Sequence, residues 1–286
     1  MKQNIKIDSH QQQSLPGEEK IMNPIPQSED QNYKGSAKLK NKIAIITGGD
    51  SGIGKAVAIS FAKENANIVL AYLCEDEDAL ETKRIIENLG GKCLLVKGDI
   101  SESGHCNEIV EKTINRFGSI DILVNHAGEQ YQTNSINDIT DKSLKHIFEV
   151  NVFSMFYLTR YALKYMKSGS CIINTISVVA YKGNPELLDY SATKGANLVF
   201  TRSLAIHLAK VGIRVNGVAP GPIWTPLIPS SFSSEKLEKF GKDTLLERPG
   251  QPYEVAPAYV YLASNIDSSY VTGQVIHVNG GIIVNS

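Results

Sequence analysis

Tyr190 and Lys194 stand four residues apart in the run Asp189-Tyr190-Ser191-Ala192-Thr193-Lys194-Gly195, and on a helix that spacing puts a phenol and an ammonium on one face. A phenol titrates near pH ~10 and is idle at neutral pH, whereas a fixed cation beside it stabilises the phenolate and draws its pKa toward the working range. Such a pair can hand a proton to a substrate or take one away. Tyr-x-x-x-Lys is also common on ordinary surface helices, so the chemistry depends on what the rest of the chain places around it.

From residue 42 onward, short apolar runs alternate with longer helical stretches. Strands are expected at 43–47, 67–72, 92–97, 120–125, 170–176, 214–219 and 275–278, and helices at 53–64, 78–89, 102–117, 141–166, 191–211 and 252–263. The strands are rich in Val and Ile without polar alternation, as strands buried on both faces of a parallel sheet are. Strand and helix in strict succession predict an α/β fold, a single doubly wound parallel sheet of about seven strands flanked by helices, the Rossmann type.

Hydrophobic residues at 42% and charged residues at 21% over 286 residues are globular proportions, enough for one α/β unit with a large core. A net charge of −1 offers no basic footprint, which argues against nucleic acid or an anionic membrane as the partner. No apolar run approaches the ~20 residues of a membrane span, and Met1-Lys2-Gln3-Asn4-Ile5-Lys6 lacks the apolar core of a secretory leader. Cys74, Cys93, Cys106 and Cys171 are scattered, with no metal-ligand spacing, so no metal is expected and the thiols fit a reducing cytoplasm. Residues 1–38, rich in Gln, Asn, Ser, Glu and Pro, read as an extended arm, either disordered or lying along the domain or a neighbouring subunit. The domain proper is expected at 39–286.

The first strand runs into Thr47-Gly48-Gly49-Asp50-Ser51-Gly52-Ile53-Gly54. Glycines between a buried strand and a helix allow a tight turn and a close approach of backbone to a pyrophosphate, whose charge meets the helix's N–H groups and dipole. Gly48, Asp50, Ser51, Gly52, Ile53 and Gly54 are therefore candidate cofactor contacts, with Tyr72 at the tip of the second strand. Gly98-Asp99-Ile100 and Asn125-His126-Ala127-Gly128 end the next strands, at the sheet edge where open α/β folds bind ligands. A carboxylate at the second strand's tip would accept from a 2′-hydroxyl and an arginine would accompany a 2′-phosphate. Neither is there, but Glu75, Asp76 and Asp50 lie nearby, and fixed negative charge repels a phosphate. NAD(H) is accordingly favoured, with NADP(H) possible because Lys55 could swing in.

Together these pieces resemble the short-chain dehydrogenase/reductase family over residues 40–286. The likeness rests on Thr-Gly-x-x-x-Gly-x-Gly at 47–54, Asn-x-Ala-Gly at 125–128, Asn151 in a long helix, Ser177 after the fifth strand, Tyr190-x-x-x-Lys194, and Pro220-Gly221 after the sixth. The resemblance implies that Asn151, Ser177, Tyr190 and Lys194 are catalytic: Tyr190 the acid/base, Lys194 on the nicotinamide ribose and, with the positive nicotinamide ring, depressing the phenol's pKa, Ser177 on the reacting oxygen, and Asn151 holding a relay water. It implies further that Asp99 accepts from the adenine amino group beside Ile100. Asn125, Ala127 and Gly128 would line the adenosine ribose, and Pro220, Gly221, Ile223 and Thr225 would receive the carboxamide and phosphate end. His126 replaces the family's usual asparagine, and Ile176 a frequent serine. Met22-Asn23-Pro24-Ile25-Pro26 and Gly48-Gly49-Asp50-Ser51-Gly52 resemble bacterial members of glucose/ribitol-dehydrogenase-like or aldehyde-reductase-like type, some of which use NADP.

The strandless stretch 222–250 is long enough to be functional or mobile, and the resemblance implies a lid over the substrate. Trp224 either stacks on nicotinamide or substrate or packs beneath the lid. Val179, Tyr181 and Leu187 are apolar candidates for the pocket, and Asn184, Glu186 and Gln130 could address hydroxyls. Phe153, Phe156, Tyr157, Tyr161, Leu198, Phe200 and Leu204 exceed what one core needs, and a homo-oligomer, dimer or tetramer, is expected. The function read from these residues is an oxidoreductase interconverting hydroxyl and carbonyl on a small sugar, polyol or aldehyde. The alternatives are a 3-oxoacyl thioester reductase and a non-catalytic nucleotide sensor.

Overall fold

Seven runs of β-branched and apolar residues form the seven strands of one parallel sheet: β1 Ile43–Thr47, β2 Asn67–Tyr72, β3 Cys93–Lys97, β4 Ile122–Asn125, β5 Cys171–Thr175, β6 Arg214–Pro220 and β7 Val275–Val278. These and the elements below belong to a computed structural model that describes residues 7–282. The hexapeptide read above for a leader lies outside the described residues.

The spatial order is β3-β2-β1-β4-β5-β6-β7. Growth of the sheet reverses between β1 and β4, and the crevice at the carboxyl ends of the strands on either side of that point is where such sheets bind ligands. Alternate strand residues serve opposite helical layers. Ala44, Ile46, Ile68, Leu70, Val124 and Ile173 pack under α1 (Gly52–Lys63) and α9 (Pro252–Ala263). Ile45, Val69, Leu123, Ile172 and Val215 pack under α3 (Ser103–Phe117), α5 (Ser154–Ala162) and α7 (Leu188–Leu208). The remaining helices are α2 (Asp76–Asn88), α4 (Asp141–Phe148), α6 (Val179–Lys182), α8 (Ser234–Lys239) and α10 (Asn265–Ser268).

Local chemistry sets the helix ends. Thr140 Oγ1 accepts from Ser143 N to cap α4, Gln251 and Glu254 form a capping box with Pro252 at the first turn of α9, and Gly118 ends α3 in a left-handed conformation. The single helix expected over 141–166 is instead α4 and α5 joined by a π-helical turn, Glu149–Phe153, with Asn151 at its centre. Apolar periodicity could not reveal that wider turn, because the bonds that accompany it are made by the Asn151 amide to a distant loop. π-Bulges of this kind occur often at functional sites.

Residues 7–38 lie along the domain. The buried Glu64 carboxylate, at the end of α1, accepts from Ser36 N at 2.9 Å, from Lys38 N at 2.9 Å and from the Tyr33 hydroxyl. Met22 packs in a cluster with Trp224, Ile228 and Leu237, and Trp224 Nε1 donates to Pro24 O at 2.7 Å. Residues 222–250 carry one short helix, α8, and are pinched at their ends by a bridge between Ile223 and Gly250.

Candidate active site

The glycine loop leaves β1 and enters α1 under tight backbone contact. A Cβ at Gly54 would lie 1.9 Å from Gly48 O, so the helix can press on the loop only where residue 54 has no side chain. Thr47 Oγ1 accepts from His126 N at 2.9 Å and Ala127 N at 3.0 Å, tying the loop after β4 to the end of β1. Thr82 Oγ1 donates to Asp50 O at 2.8 Å and fixes the outer limb of the glycine loop.

These loops open on a cleft of about 1110 Å³ at the carboxyl end of the sheet, at or above the upper end of volumes usual for small-ligand sites. Its wall holds Gly48, Asp50, Ser51, Gly52 and Ile53, then Tyr72, Asp99, Ile100, Ala127 and Gly128, and on the far side Ser177, Tyr190, Lys194, Pro220, Gly221, Ile223 and Thr225. Three expected contacts stand behind the wall. Gly54 is a packing position, as its contact with Gly48 shows. Asn125 turns into the sheet, where its Nδ2 donates to Asn174 Oδ1 at 2.9 Å. A residue at the last position of β4 that points away from the cleft reaches the neighbouring strand β5 instead of a ligand. Asn151, 0% exposed, bonds the loop after β4 at both backbone groups of Glu129, N–H and C=O, each at 2.8 Å.

Ser177, two residues past the end of β5, hydrogen-bonds the Tyr190 phenol, which projects from the first turn of α7. Lys194 lies one turn on, 2% exposed, its Nζ donating to Thr175 O at 3.0 Å and sitting 5.5 Å from the Tyr190 ring centroid. Burial pushes the phenol up to about 12, against a lowering by Ser177, and pushes the ammonium down to about 8. Burial is the largest influence on each group, and the lowering of the phenol that the resemblance implies is one that Lys194 makes together with the positively charged nicotinamide ring. His126 is held far below its usual range, to about 3, by burial and then by Lys194, and its Nδ1 lies 3.0 Å from Thr175 Oγ1. It is a neutral member of the frame around Lys194.

At the tip of β2, the Tyr72 hydroxyl donates to Asp76 Oδ1 at 2.8 Å and Lys97 pairs with Asp76 at 2.6 Å. Lys55 cannot swing into the cleft. It is buried and paired with Glu19 at 2.8 Å and Glu81 at 3.2 Å. Asp50 is raised to about 7 by its burial and by the nearby Glu75 and Asp78 carboxylates.

On the substrate side, Gln130 is buried and lines the cleft with its Nε2 unpartnered. Glu129 accepts from the Tyr131 hydroxyl at 2.5 Å and faces His146 Nε2 at 2.9 Å, a polar cluster of loop and helix residues that no sequence periodicity marks. Lys236 of α8 pairs with Glu186 and joins the stretch 222–250 to the loop before α7. Trp224 is 0% exposed and lies outside the wall, so of its two expected roles it takes the packing one.

The family model described as enoyl-(acyl carrier protein) reductase matches residues 48–283. The NADPH-dependent aldehyde reductase 1 of Arabidopsis thaliana is 50% identical, covering 98% of this chain and 99% of that one. The glucose and ribitol dehydrogenase of Daucus carota is 49% identical, covering 96% of each. A short-chain dehydrogenase from Burkholderia cenocepacia, crystallised with NADP, superposes with a TM-score of 0.80 at 26% identity, covering 85% of this chain and 98% of that one. The chain belongs to the short-chain dehydrogenase/reductase family. It is an oxidoreductase of the NAD(P)-binding type. Among the described residues no helix is long and apolar enough to cross a membrane, and no three His, Cys, Asp or Glu side chains gather as a metal site.

Proposed function

We propose that this oxidoreductase interconverts a hydroxyl and a carbonyl on a small sugar, polyol or aldehyde, with NAD(H) favoured over NADP(H). The observation that carries the reading is the Ser177–Tyr190 hydrogen bond with Lys194 buried beside it, in the same cleft as the glycine loop. The nicotinamide, when bound, accepts or supplies the hydride. Tyr190 holds the proton that the substrate oxygen gains in reduction and loses in oxidation, and Ser177 holds that oxygen beside it. Lys194 supplies a fixed donor on the floor of the cleft, and Asn151 fixes the loop that faces it. The residues fit the dinucleotide: the cleft is large, and Gly54 allows the first turn of α1 to approach the loop closely.

The unpartnered Gln130 amide, with Asn184 and Glu186 in the same wall, suits a hydroxylated substrate. The names of the plant relatives, an aldehyde reductase and a glucose and ribitol dehydrogenase, support the same class and do not favour thioester reduction or nucleotide sensing. Four free cysteines suit the reducing cytoplasm proposed as its location.

For the cofactor, the sequestered Lys55 and the carboxylates Asp50 and Glu75 in the cleft wall disfavour a 2′-phosphate, whereas the relatives' names include NADPH and NADP. Reduced-nicotinamide absorbance across a panel of polyols, sugars and aldehydes tests both points. At pH 8 the expected kcat/KM with NAD exceeds that with NADP by about tenfold, ~1.4 kcal/mol. Below about pH 7 Asp50 takes up a proton, its repulsion is lost, and the KM for NADP falls. A preference for NADP at pH 8 overturns the cofactor assignment, and no turnover with any panel member overturns the substrate class.

Phe153, Phe156, Val199 and Ile206 are exposed apolar side chains, and the Phe156 and Phe200 rings stack at 4.2 Å between centroids. They support a homo-oligomer, dimer or tetramer, formed through the faces of α5 and α7. Light scattering is expected to give a dimer or tetramer mass that falls in Phe156→Glu. A monomeric wild-type protein sinks this assignment.

A further inference from the structure

Residues 11–24 cross between the glycine loop and the stretch 222–250. Leu15, Pro16 and Gly17 form part of the cleft wall, alongside Ser51 and Gly52 on one side and Thr225 and Pro226 on the other. Gly17 lies against residue 226 so closely that a Cβ there would sit 2.6 Å from Pro226 O. Gln13 N donates to Pro229 O at 3.1 Å, and the Gln12 amide to Phe232 O at 3.3 Å. The segment is thus stitched to one bank of the cleft by the Gln13 backbone and the Gln12 side chain.

Glu19 ties it to the other bank. This carboxylate is 3% exposed and is not in the cleft wall. Its Oε2 accepts from Gly52 N at 2.7 Å, its Oε1 pairs with Lys55 at 2.8 Å, and its own N–H donates to Asp78 Oδ2 at 2.9 Å. Gly52 N is the first N–H of α1, one of the donors a helix cannot satisfy internally. Glu19 satisfies it from behind the loop, so the cleft-facing side of the loop stays open to a ligand. A carboxylate that competed for the ligand's place would line the cleft, and this one does not.

We infer that residues 15–19 belong to the dinucleotide site, Leu15–Gly17 forming the wall over the pyrophosphate and nicotinamide-ribose stretch of the bound cofactor and Glu19 pinning that wall to the glycine loop. The inference rests on the nicotinamide-dinucleotide reading of the cleft. The position along the cofactor follows from the neighbours: Glu19 bonds Gly52 at the start of α1, Gly52 lies against Thr225, and Gly17 lies against Pro226, whereas Asp99 and Ile100, after β3, are the residues that the family resemblance assigns to the adenine. Apolar Leu15 and Pro16 keep water from that stretch, and contacts between backbone N–H groups and phosphate gain strength as water is excluded.

Isothermal titration of the full-length protein with NAD⁺ and with AMP tests the inference without turnover. Gly17→Val forces the wall away from Pro226, and Leu15→Asp, at a half-buried position that tolerates a polar side chain, sets a carboxylate beside the phosphates. Each is expected to weaken NAD⁺ about tenfold, ~1.4 kcal/mol. Gly17→Val should leave AMP binding and the far-UV spectrum as in the wild type, because the adenine half lies beyond the wall. Wild-type NAD⁺ affinity in both variants overturns the inference, and so does an equal weakening of AMP and NAD⁺ by Gly17→Val, which would mark a merely structural segment. If the wild-type protein binds neither NAD⁺ nor NADP⁺, the dinucleotide reading itself fails.

Discussion

Tyr190→Phe is expected to lower kcat by about a thousandfold or more, within the range that positioned acid/base groups supply, while NAD⁺ affinity measured by titration stays within about threefold. The phenol bonds Ser177 in the cleft, and Phe keeps the ring packed among Ile147, Val178, Val179 and Leu187. The substitution therefore removes the proton and leaves the frame. At about 12 the group is a neutral phenol at any working pH, ready to donate in the reductive direction. For oxidation it must first lose its proton, and Lys194 alone does not bring its pKa into reach. Turnover at the wild-type rate in Tyr190→Phe would remove this residue from the mechanism.

Lys194→Met is expected to abolish turnover to a comparable degree and, unusually for a buried site, to leave the free protein no less stable at neutral pH. Lys194 titrates at about 8 in the folded chain against 10.5 for a free side chain. The folded state therefore binds fewer protons than the unfolded state between those values, and stability rises with pH from about 8 to about 10.5. Below pH 8 that shift corresponds to a cost to the native state of about 3 kcal/mol, a net figure that already includes the ammonium's bond to Thr175 O. Met has nearly the same length and no charge to bury. Thiols and phenols such as Cys93, Cys106 and Tyr190, raised by burial, lower stability in both proteins as pH passes about 9, so the urea midpoint of the wild type should rise relative to that of Lys194→Met between about pH 7 and 10.5. A variant unfolding at much lower urea than the wild type at pH 7 would show that the ammonium stabilises the fold instead of burdening it.

The sheet was legible because each strand is a short Val- and Ile-rich run buried on both faces, a pattern that needs no knowledge of neighbours. The glycine loop was legible for a similar reason: Gly54 is required by a contact only six residues back, with Gly48. Asn151 was visible as a residue and hidden as a geometry. Its π-turn arises with bonds to Glu129 and Thr193, residues 22 and 42 positions away, and periodicity over one helix carries no trace of them. Four-residue spacing gives the distance between two groups along a helix, but desolvation depends on everything packed around them.

The residue types at 47–54, 177, 190 and 194, in that order along an alternating α/β chain, were enough to determine by themselves the sheet, the family and the kind of chemistry, because those requirements are local: a turn, a helix face, a buried strand. Only the tertiary structure decided which groups are free to act. Lys55, available on paper to a 2′-phosphate, is held by Glu19, a residue 36 positions earlier in a segment whose composition suggested nothing more specific than an arm. Trp224, a candidate for stacking on the ligand, supports the packing of that same segment through Pro24, 200 residues away. Burial and pairing between distant segments set these outcomes, and both depend on the fold as a whole.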